Sequence, residues 1–351
     1  MSALPDHARR RFLLGTGALG ATALLAGCVS NTPPTQANPA PVAAGGDNVA
    51  PGPPVTIGFS APAADHGWMA AMTTNARAQA ELLPDVTFRP TEGSADVNQQ
   101  IAQVETLINE KVDVLVILPA DGKALTAVGR KAMDAGIPVV NIDRVFDSPE
   151  AYRVWIGGDN YGMGVNAANH IAAELGRRGV TNPVIAEIAG TDSLPLTQER
   201  SAGFRAGLAK HGLSVSRRVA AEFTVETGER QATNLLQAAS RLDAVWNHDD
   251  DQGIGVLAAV ESAGRNEFFL VGGAGSRPMM ERIKAGGSVV QATVLYSPSM
   301  CSSAISLARL LGQSRGMSDL AEHEIPRSIT TYSAVVTRDN VDQYLDVGFA
   351  S

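Results

Sequence analysis

Val139-Val140-Asn141-Ile142-Asp143-Arg144 is a short β-branched run that stops at a carboxylate beside a guanidinium. In an open α/β sheet, ligands bind in the crevice just past the carboxyl ends of the strands. Asp143 can accept from two neighbouring hydroxyls of one small molecule, and Arg144 can donate several hydrogen bonds in a fixed fork. Taken alone, the pair reads as a surface ion pair at a strand end, which contributes little. Its surroundings decide between the two readings.

The run lies within a regular alternation of strands and helices. Val55–Phe59 and Val86–Arg89 read as strands around a helix from about Trp68 to Leu83, and Val97–Asn109 has a helical apolar pattern. Val112–Leu118 is apolar almost throughout, as a buried parallel strand is. A helix near Leu125–Ala135 then leads to Ile137–Ile142, with Gly136 and Pro138 marking the turn. After a strand at Tyr152–Ile156 and a turn or helix cap at Gly157-Gly158-Asp159-Asn160, a second series begins. It comprises helix Gly162–Arg177, strand Val184–Ala189, helix Thr197–His211, strand Ser216–Phe223, helix Gly228–Ala239, strand Ala244–Trp246, helix Gly253–Ala263 and strand Phe268–Val271. Helix Pro278–Ala285, strand Val289–Leu295, helix Ser299–Leu311 and a single late strand, Ile329–Val336, complete it. Repeated βα units of this kind predict doubly wound sheets with right-handed crossovers. The expected fold is therefore α/β, with two Rossmann-like lobes joined by a hinge. Residues 55–158 and 297–328 form the first lobe, and 159–296 and 329–351 the second. A cleft between such lobes is a common ligand site, with hinge closure around the ligand.

The 351 residues carry 28 Lys and Arg against 36 Asp and Glu. That acidic balance argues against a nucleic-acid surface, which needs clustered cations. Residues 1–27 have the plan of a signal peptide: Arg9-Arg10-Arg11-Phe12-Leu13-Leu14, a short apolar run, then small residues. The twin arginine resembles a twin-arginine export signal, and Leu25-Ala26-Gly27-Cys28 resembles a bacterial lipobox with Cys28 as the lipidated residue. The stretch from Phe12 to Ala26 is too short, and too rich in Gly and Thr, to span a bilayer comfortably. Residues 28–54 continue in Pro, Ala, Gly, Thr and Asn without apolar periodicity, the composition of a flexible tether. Cys301, in Met300-Cys301-Ser302-Ser303-Ala304, reads as a small buried thiol on a helix. A Cys28–Cys301 disulfide is not expected, because Cys28 has another use.

Two further loops carry candidate chemistry. Ser60-Ala61-Pro62-Ala63-Ala64-Asp65-His66-Gly67-Trp68 follows the first strand and opens a helix. Trp68 can lay its face on the C–H side of a sugar while Asp65 or His66 bonds hydroxyls; as a core residue at a helix start it is equally natural. No second His stands at ligand spacing from His66. Trp246-Asn247-His248-Asp249-Asp250-Asp251-Gln252 ends a strand of the second lobe. Its three adjacent carboxylates point in different directions and lack the alternating ligands and Gly of a calcium loop. One is expected to face the cleft and another to cap the next helix. There is no Gly-x-Ser-x-Gly elbow, Walker loop or His-Glu-x-x-His, and Gly272-Gly273-Ala274-Gly275 is not a dinucleotide fingerprint. The weight falls on binding, with no cofactor and no metal expected.

In order and spacing, several stretches from Val55 to about Thr337 resemble the type I periplasmic sugar-binding proteins of ABC transporters, the ribose- and galactose-binding group. They are Asn141-Ile142-Asp143-Arg144, Ile156-Gly157-Gly158-Asp159-Asn160, Gln198-Glu199-Arg200-Ser201-Ala202-Gly203-Phe204, Ala244-Val245-Trp246-Asn247-His248-Asp249-Asp250 and Ala292-Thr293-Val294-Leu295-Tyr296-Ser297-Pro298. The resemblance implies that Asp143 and Arg144 hold sugar hydroxyls, that Trp68 and Phe223 supply the aromatics of the two lobes, that Asp249 binds a hydroxyl and that Tyr296 is a polar hinge contact. Ser60, Asp65, His66 and Gln198 complete the expected site. Two departures stand out. Gln198 occupies the place of an arginine in ribose-type relatives, and Ala274 that of an aspartate. Both remove a charged sugar contact.

The resemblance implies a monomeric, lipid-anchored receptor outside the cell membrane or in the periplasm, handing a sugar or polyol to a permease with its ATPase. The alternatives are a sensory receptor of the same fold signalling to a membrane kinase, and a secreted carbohydrate-acting enzyme using Asp143 and Asp249 as paired carboxylates. A repressor of this fold is disfavoured, since the N-terminus reads as an export signal and not as a helix-turn-helix.

Overall fold

Apolar β-branched runs become parallel strands, and the stretches between them become helices, in a computed structural model that describes residues 48, 50–317 and 324–351. The expected signal peptide, Cys28 and most of the expected tether lie outside the described residues. In chain order the elements are β1 (Val55–Ser60), α1 (Gly67–Glu81), β2 (Val86–Pro90), α2 (Val97–Asn109), β3 (Val114–Ile117), α3 (Gly122–Asp134), β4 (Val139–Ile142) and β5 (Val154–Gly158). They continue with α4 (Asn160–Arg177), β6 (Ile185–Ala189), α5 (Pro195–Lys210), β7 (Arg217–Ala220), α6 (Val225–Ala238), β8 (Ala244–Asn247), α7 (Asp250–Ser262) and β9 (Phe269–Ala274). Last come α8 (Arg277–Ala285), β10 (Val290–Leu295), α9 (Met300–Gly312), β11 (Ser328–Thr331) and β12 (Val335–Thr337).

These strands form two six-stranded sheets, β11-β5-β4-β3-β1-β2 and β12-β10-β9-β8-β6-β7. Every pairing is parallel except β10 with β12. The two doubly wound α/β lobes are thus the observed architecture. In the first sheet α1 and α9 pack together, as do α2 and α3; in the second the pairs are α4 with α5 and α6 with α7. Central strands β3 and β8 are buried along their whole length, which is why they read as continuous apolar runs. One apolar cluster runs from Phe59 and Met72 in the first lobe through Trp68, Tyr296 and Phe349 to Phe204 and Trp246 in the second. Cys301 is buried on α9. Among the described residues, no helix is long and apolar enough to cross a membrane.

Three local differences from the sequence reading have physical causes. The late strand is two strands: Ser328–Thr331 adds to the first sheet beside β5, and Val335–Thr337 pairs with β10 of the second. The chain changes sheet through Tyr332–Ala334, where Ser333 is held by Asn166 Nδ2 on its carbonyl and donates its hydroxyl to the Asp159 carbonyl. Several helices begin two or three residues early, because their first turns are polar and their caps carry them. Asp121, Thr224 and Asp249 each accept a backbone N–H at the start of α3, α6 and α7. Finally, the end of the expected tether is held in place. Arg309 on α9 forms a buried ion pair with Asp85 and donates to the carbonyls of Asn48 and Ala50, while Gly52 N–H and Gln313 bond Asp85. Burial alone would raise the Asp85 carboxyl; Arg309, Gly52 and Gln313 together hold it well below the usual carboxylate range.

Candidate functional site

The carboxyl ends of β1 and β4 in one lobe, and of β6, β7 and β8 in the other, bring their loops to one cleft. There a cavity of about 20 Å³ is lined by His66, Trp68, Asp143, Arg144, Leu196, Arg200, Phe223, Asp249 and Tyr296. That is space for roughly one water, so a ring-sized ligand enters only if the lobes part.

Asp143 follows β4 with φ +59°, a left-handed conformation that Asp tolerates better than most residues. Its carboxylate accepts the Tyr296 hydroxyl, and only 6 % of the residue is exposed. Arg144 donates through Nη1 to the carbonyls of Ala120 at 2.8 Å and Pro119 at 3.4 Å, while its Nε is buried without a partner. A buried donor of that kind is costly to leave unpaired. Tyr296, in the second crossing between lobes, ties the parts together. Its hydroxyl also accepts from Gly158 N–H at 3.4 Å and Asn160 Nδ2 at 3.3 Å, and its carbonyl accepts the Trp68 indole N–H at 2.8 Å. Burial first, then the neighbouring Asp143, drives the Tyr296 phenol far above its usual range, so it stays a neutral donor.

Aromatic rings form the walls. The His66 imidazole lies near-parallel to both Trp68 (centroids 6.3 Å, 10°) and Phe223 (6.1 Å, 26°). Phe223 has φ +64°, an outlier for a bulky residue that its surroundings must hold. Its ring lies against Gly190, where a Cβ would fall 2.0 Å from it. Asp65 is exposed and orients the imidazole by a 2.5 Å hydrogen bond to Nδ1. Burial pulls the His66 pKa down, but Asp65, Asp249 and Asp251 outweigh it, and the net direction is upward.

Asp249 both caps α7, accepting from Asp251 N–H at 2.8 Å, and lines the cavity; the two roles expected of different carboxylates fall on one. Burial, then the charge of Asp251, pushes its carboxyl up to about 7. Asp250 turns away and gathers the N–H groups of Gly273, Gly275 and Ser276 and the Thr293 hydroxyl. Asp251 crosses the cleft to accept Trp68 N–H at 2.8 Å. Each of the three carboxylates is engaged by protein donors.

Besides Asp65, two expected site residues do not line the cavity. Ser60 is fully buried beneath the cleft, its hydroxyl accepting from Gln100 Nε2 at 3.2 Å. Gln198 is exposed, its amide donating to the Asp192 carbonyl at 3.1 Å. Two residues on, about 200° round the helix, Arg200 is buried and faces the cavity. It donates to Asn160 Oδ1 at 2.9 Å and the His248 carbonyl at 3.2 Å, with its guanidinium 4.5 Å over the Tyr296 ring. Arg200 thus brings a guanidinium from this helix to the cavity. Ala274 is buried with φ +76°, and the N–H groups of Gly273 and Gly275 on either side of it bond Asp250. Helical phase applied to Gln198-Glu199-Arg200 would have found Arg200; no local signal marks Asn160 or Leu196.

The sequence profile of the periplasmic binding protein domain matches residues 57–314. The chain belongs to the periplasmic binding protein family. This periplasmic binding protein is 32 % identical over 205 residues to the ribose import binding protein of Bacillus subtilis, covering 58 % of this chain and 64 % of that relative, just under two thirds of its length. A solute-binding protein from Bacillus halodurans C-125 with bound myo-inositol has the same fold, with a TM-score of 0.74 and 23 % identity over 84 % of this chain and 98 % of that one. The fructose-binding periplasmic domain of a hybrid two-component system superposes with a TM-score of 0.71, 25 % identity, and coverage of 83 % and 93 %. These likenesses place the lobes of this periplasmic binding protein in the type I arrangement.

Proposed function

We propose that the protein is the substrate-binding component of an ABC importer that takes a sugar or polyol between its lobes and delivers it to a membrane permease. The observation that carries this reading is the cavity wall: aromatic faces from both lobes beside Asp143, Arg144, Arg200 and Asp249, with an unpaired buried Arg144 Nε among them. Such a wall matches a ring with an apolar face and a hydroxylated rim. Ligand hydroxyls replace the water that the carboxylates lose on closure, and only the closed form offers contacts from both lobes at once. In this reading Cys28 carries a lipid, residues 29–47 are the tether, the protein works as a monomer at the outer face of the membrane, and the lobes are 55–158 with 297–331 and 159–296 with 335–351.

The first test is thermal unfolding against pentoses, hexoses, inositols and amino sugars. A ligand at a thousandfold excess over its dissociation constant raises stability by about 4 kcal/mol, and Asp143→Ala removes most of that gain. A flat response across the panel rejects a free monosaccharide or inositol as the ligand. The likeness to a sensor's periplasmic domain favours one second reading, ligand reporting to a membrane kinase. A permease and ATPase encoded beside this protein support import; a kinase there supports sensing. Against an enzyme, Asp143 is bonded to Tyr296 and Asp249 caps a helix, arrangements suited to holding hydroxyls. Intact ligand recovered after long incubation tests that point.

A further inference from the structure

We propose that the binding site has a second compartment and that the ligand is a glycoside with a second ring, such as a disaccharide or an aryl glycoside, and not a lone monosaccharide. The inference rests on the sugar-binding reading above and extends it. Beside the inner cavity lies a chamber of about 450 Å³, and the two share Asp143, Arg144 and Leu196 as a common wall. That volume is in the range of small-molecule sites, whereas the inner cavity holds about one water. Of these two spaces, only the chamber has room for a ring as the lobes stand.

The chamber has the walls a sugar ring needs. Trp155, on β5, lines it and is half-buried. The indole lies against Gly157, where a Cβ would come within 2.2 Å of Cζ2, so one ring face is seated on bare backbone and the other is left to the chamber. Its Nε1–H donates to the Asp143 carbonyl at 3.0 Å, which fixes the platform to the residue that anchors the inner site. Asp121 and Lys123, at the start of α3, provide an acceptor and a donor on the same lobe, and Pro195 faces them from the other. Arg144 stands at the junction with its Nε buried and unpaired, where a glycosidic or ring oxygen from either compartment would accept from it. A flat apolar platform with polar groups at its rim suits the C–H face of a pyranose or an aromatic aglycone equally. The two sources are separable by experiment.

Binding of the full chain to three matched series, measured by titration calorimetry, tests this: free monosaccharides, their methyl and phenyl glycosides, and disaccharides that contain them. At least one phenyl glycoside or disaccharide should bind tenfold or more tightly than its parent, about 1.4 kcal/mol. A gain from disaccharides alone identifies a sugar as the second ring, and a gain from phenyl glycosides alone an aromatic aglycone. Trp155→Ala should bring the ratio of extended to parent affinity close to one, whatever it does to the parent. Trp155→Phe keeps the platform, loses the hydrogen bond to Asp143 and should retain most of the ratio. Parents that bind while every extended ligand binds more weakly overturn the second compartment and leave the sugar reading standing, as does a ratio indifferent to Trp155→Ala. No binding in any series rejects the sugar reading itself.

Discussion

Closure of the ligand-free lobes should depend on pH, and Asp249 sets the scale. In the closed cleft its carboxyl is pushed from 3.8 up to about 7, by burial first and then by the charge of Asp251. The closed form therefore holds a proton that the open, hydrated carboxylate releases. As pH rises from about 4 to 7, closure is progressively penalised, up to a ceiling of about 4 kcal/mol, or roughly a thousandfold in the closing equilibrium. His66 acts in the same direction. Its pKa is raised in the closed form against the pull of burial, by Asp65, Asp249 and Asp251, so its contribution is complete below its ordinary value of 6.5 and fades as pH rises through the higher one. Charged His66 and then Arg200 favour ionised Asp249 and oppose its shift. Small-angle scattering of the ligand-free protein should show a compact form near about pH 5.5 and a more open one near about pH 8.5. Asp249→Asn keeps the shape and the helix-capping oxygen without the charge, and should stay compact across most of that range. The same dimensions at both pH values in the parent protein would refute the reasoning, as would an undiminished pH response in the variant.

Other expectations follow from single contacts. Gln198→Ala should change ligand affinity less than about twofold, because its amide meets only the Asp192 carbonyl, whereas Arg200→Gln should weaken it by about 1.5–3 kcal/mol, as for a hydrogen-bonded charge; calorimetry on both would reverse the assignment if Gln198 proved the more sensitive. Gly158→Ala places a Cβ 2.1 Å from the Tyr296 ring, so Tyr296 must leave Asp143 and affinity should fall by about tenfold, the loss of a net hydrogen bond of about 1 kcal/mol or more; unchanged binding would show that Tyr296 does not position the carboxylate. Arg309→Met strands the buried Asp85 carboxylate and should cost about 3–5 kcal/mol in urea unfolding. Adding Asp85→Asn should restore part of it, and a loss below about 1 kcal/mol would count the pair as a surface contact.

What the sequence made legible follows from how far its signals reach. Buried parallel strands announce themselves because β-branched residues need no polar partner on either face, so β3, β4 and β8 were readable, and with them the polar residues Asp143 and Asp249 that end their runs. Trp68 and Tyr296 were readable because each adjoins such an end. The division of Ser328–Thr337 was not, since Ser328–Thr331 and Val335–Thr337 share strand-forming composition and only pairing with β5 or β10 separates them. Arg200 was hidden by a two-residue offset that helical phase alone resolves. Asn48, Gly52 and Pro53 are held by Arg309, Asp85 and Gln313, and no local pattern could announce partners 33 to 261 residues away.

The Asp85–Arg309 clamp has a mechanical consequence. It grips the chain just before β1, at the end of the first sheet opposite the strand ends that carry the ligand. A pull applied upstream of Asn48 is thus delivered to the base of one lobe, through a buried ion pair and the carbonyls of Asn48 and Ala50. The three crossings near Asp159, Tyr296 and Ser333 follow the carboxyl ends of β5, β10 and β11. In the proposed lipid-anchored form, the anchor's pull would thus meet the amino end of β1, at the opposite end of the strands from the crossings between the lobes.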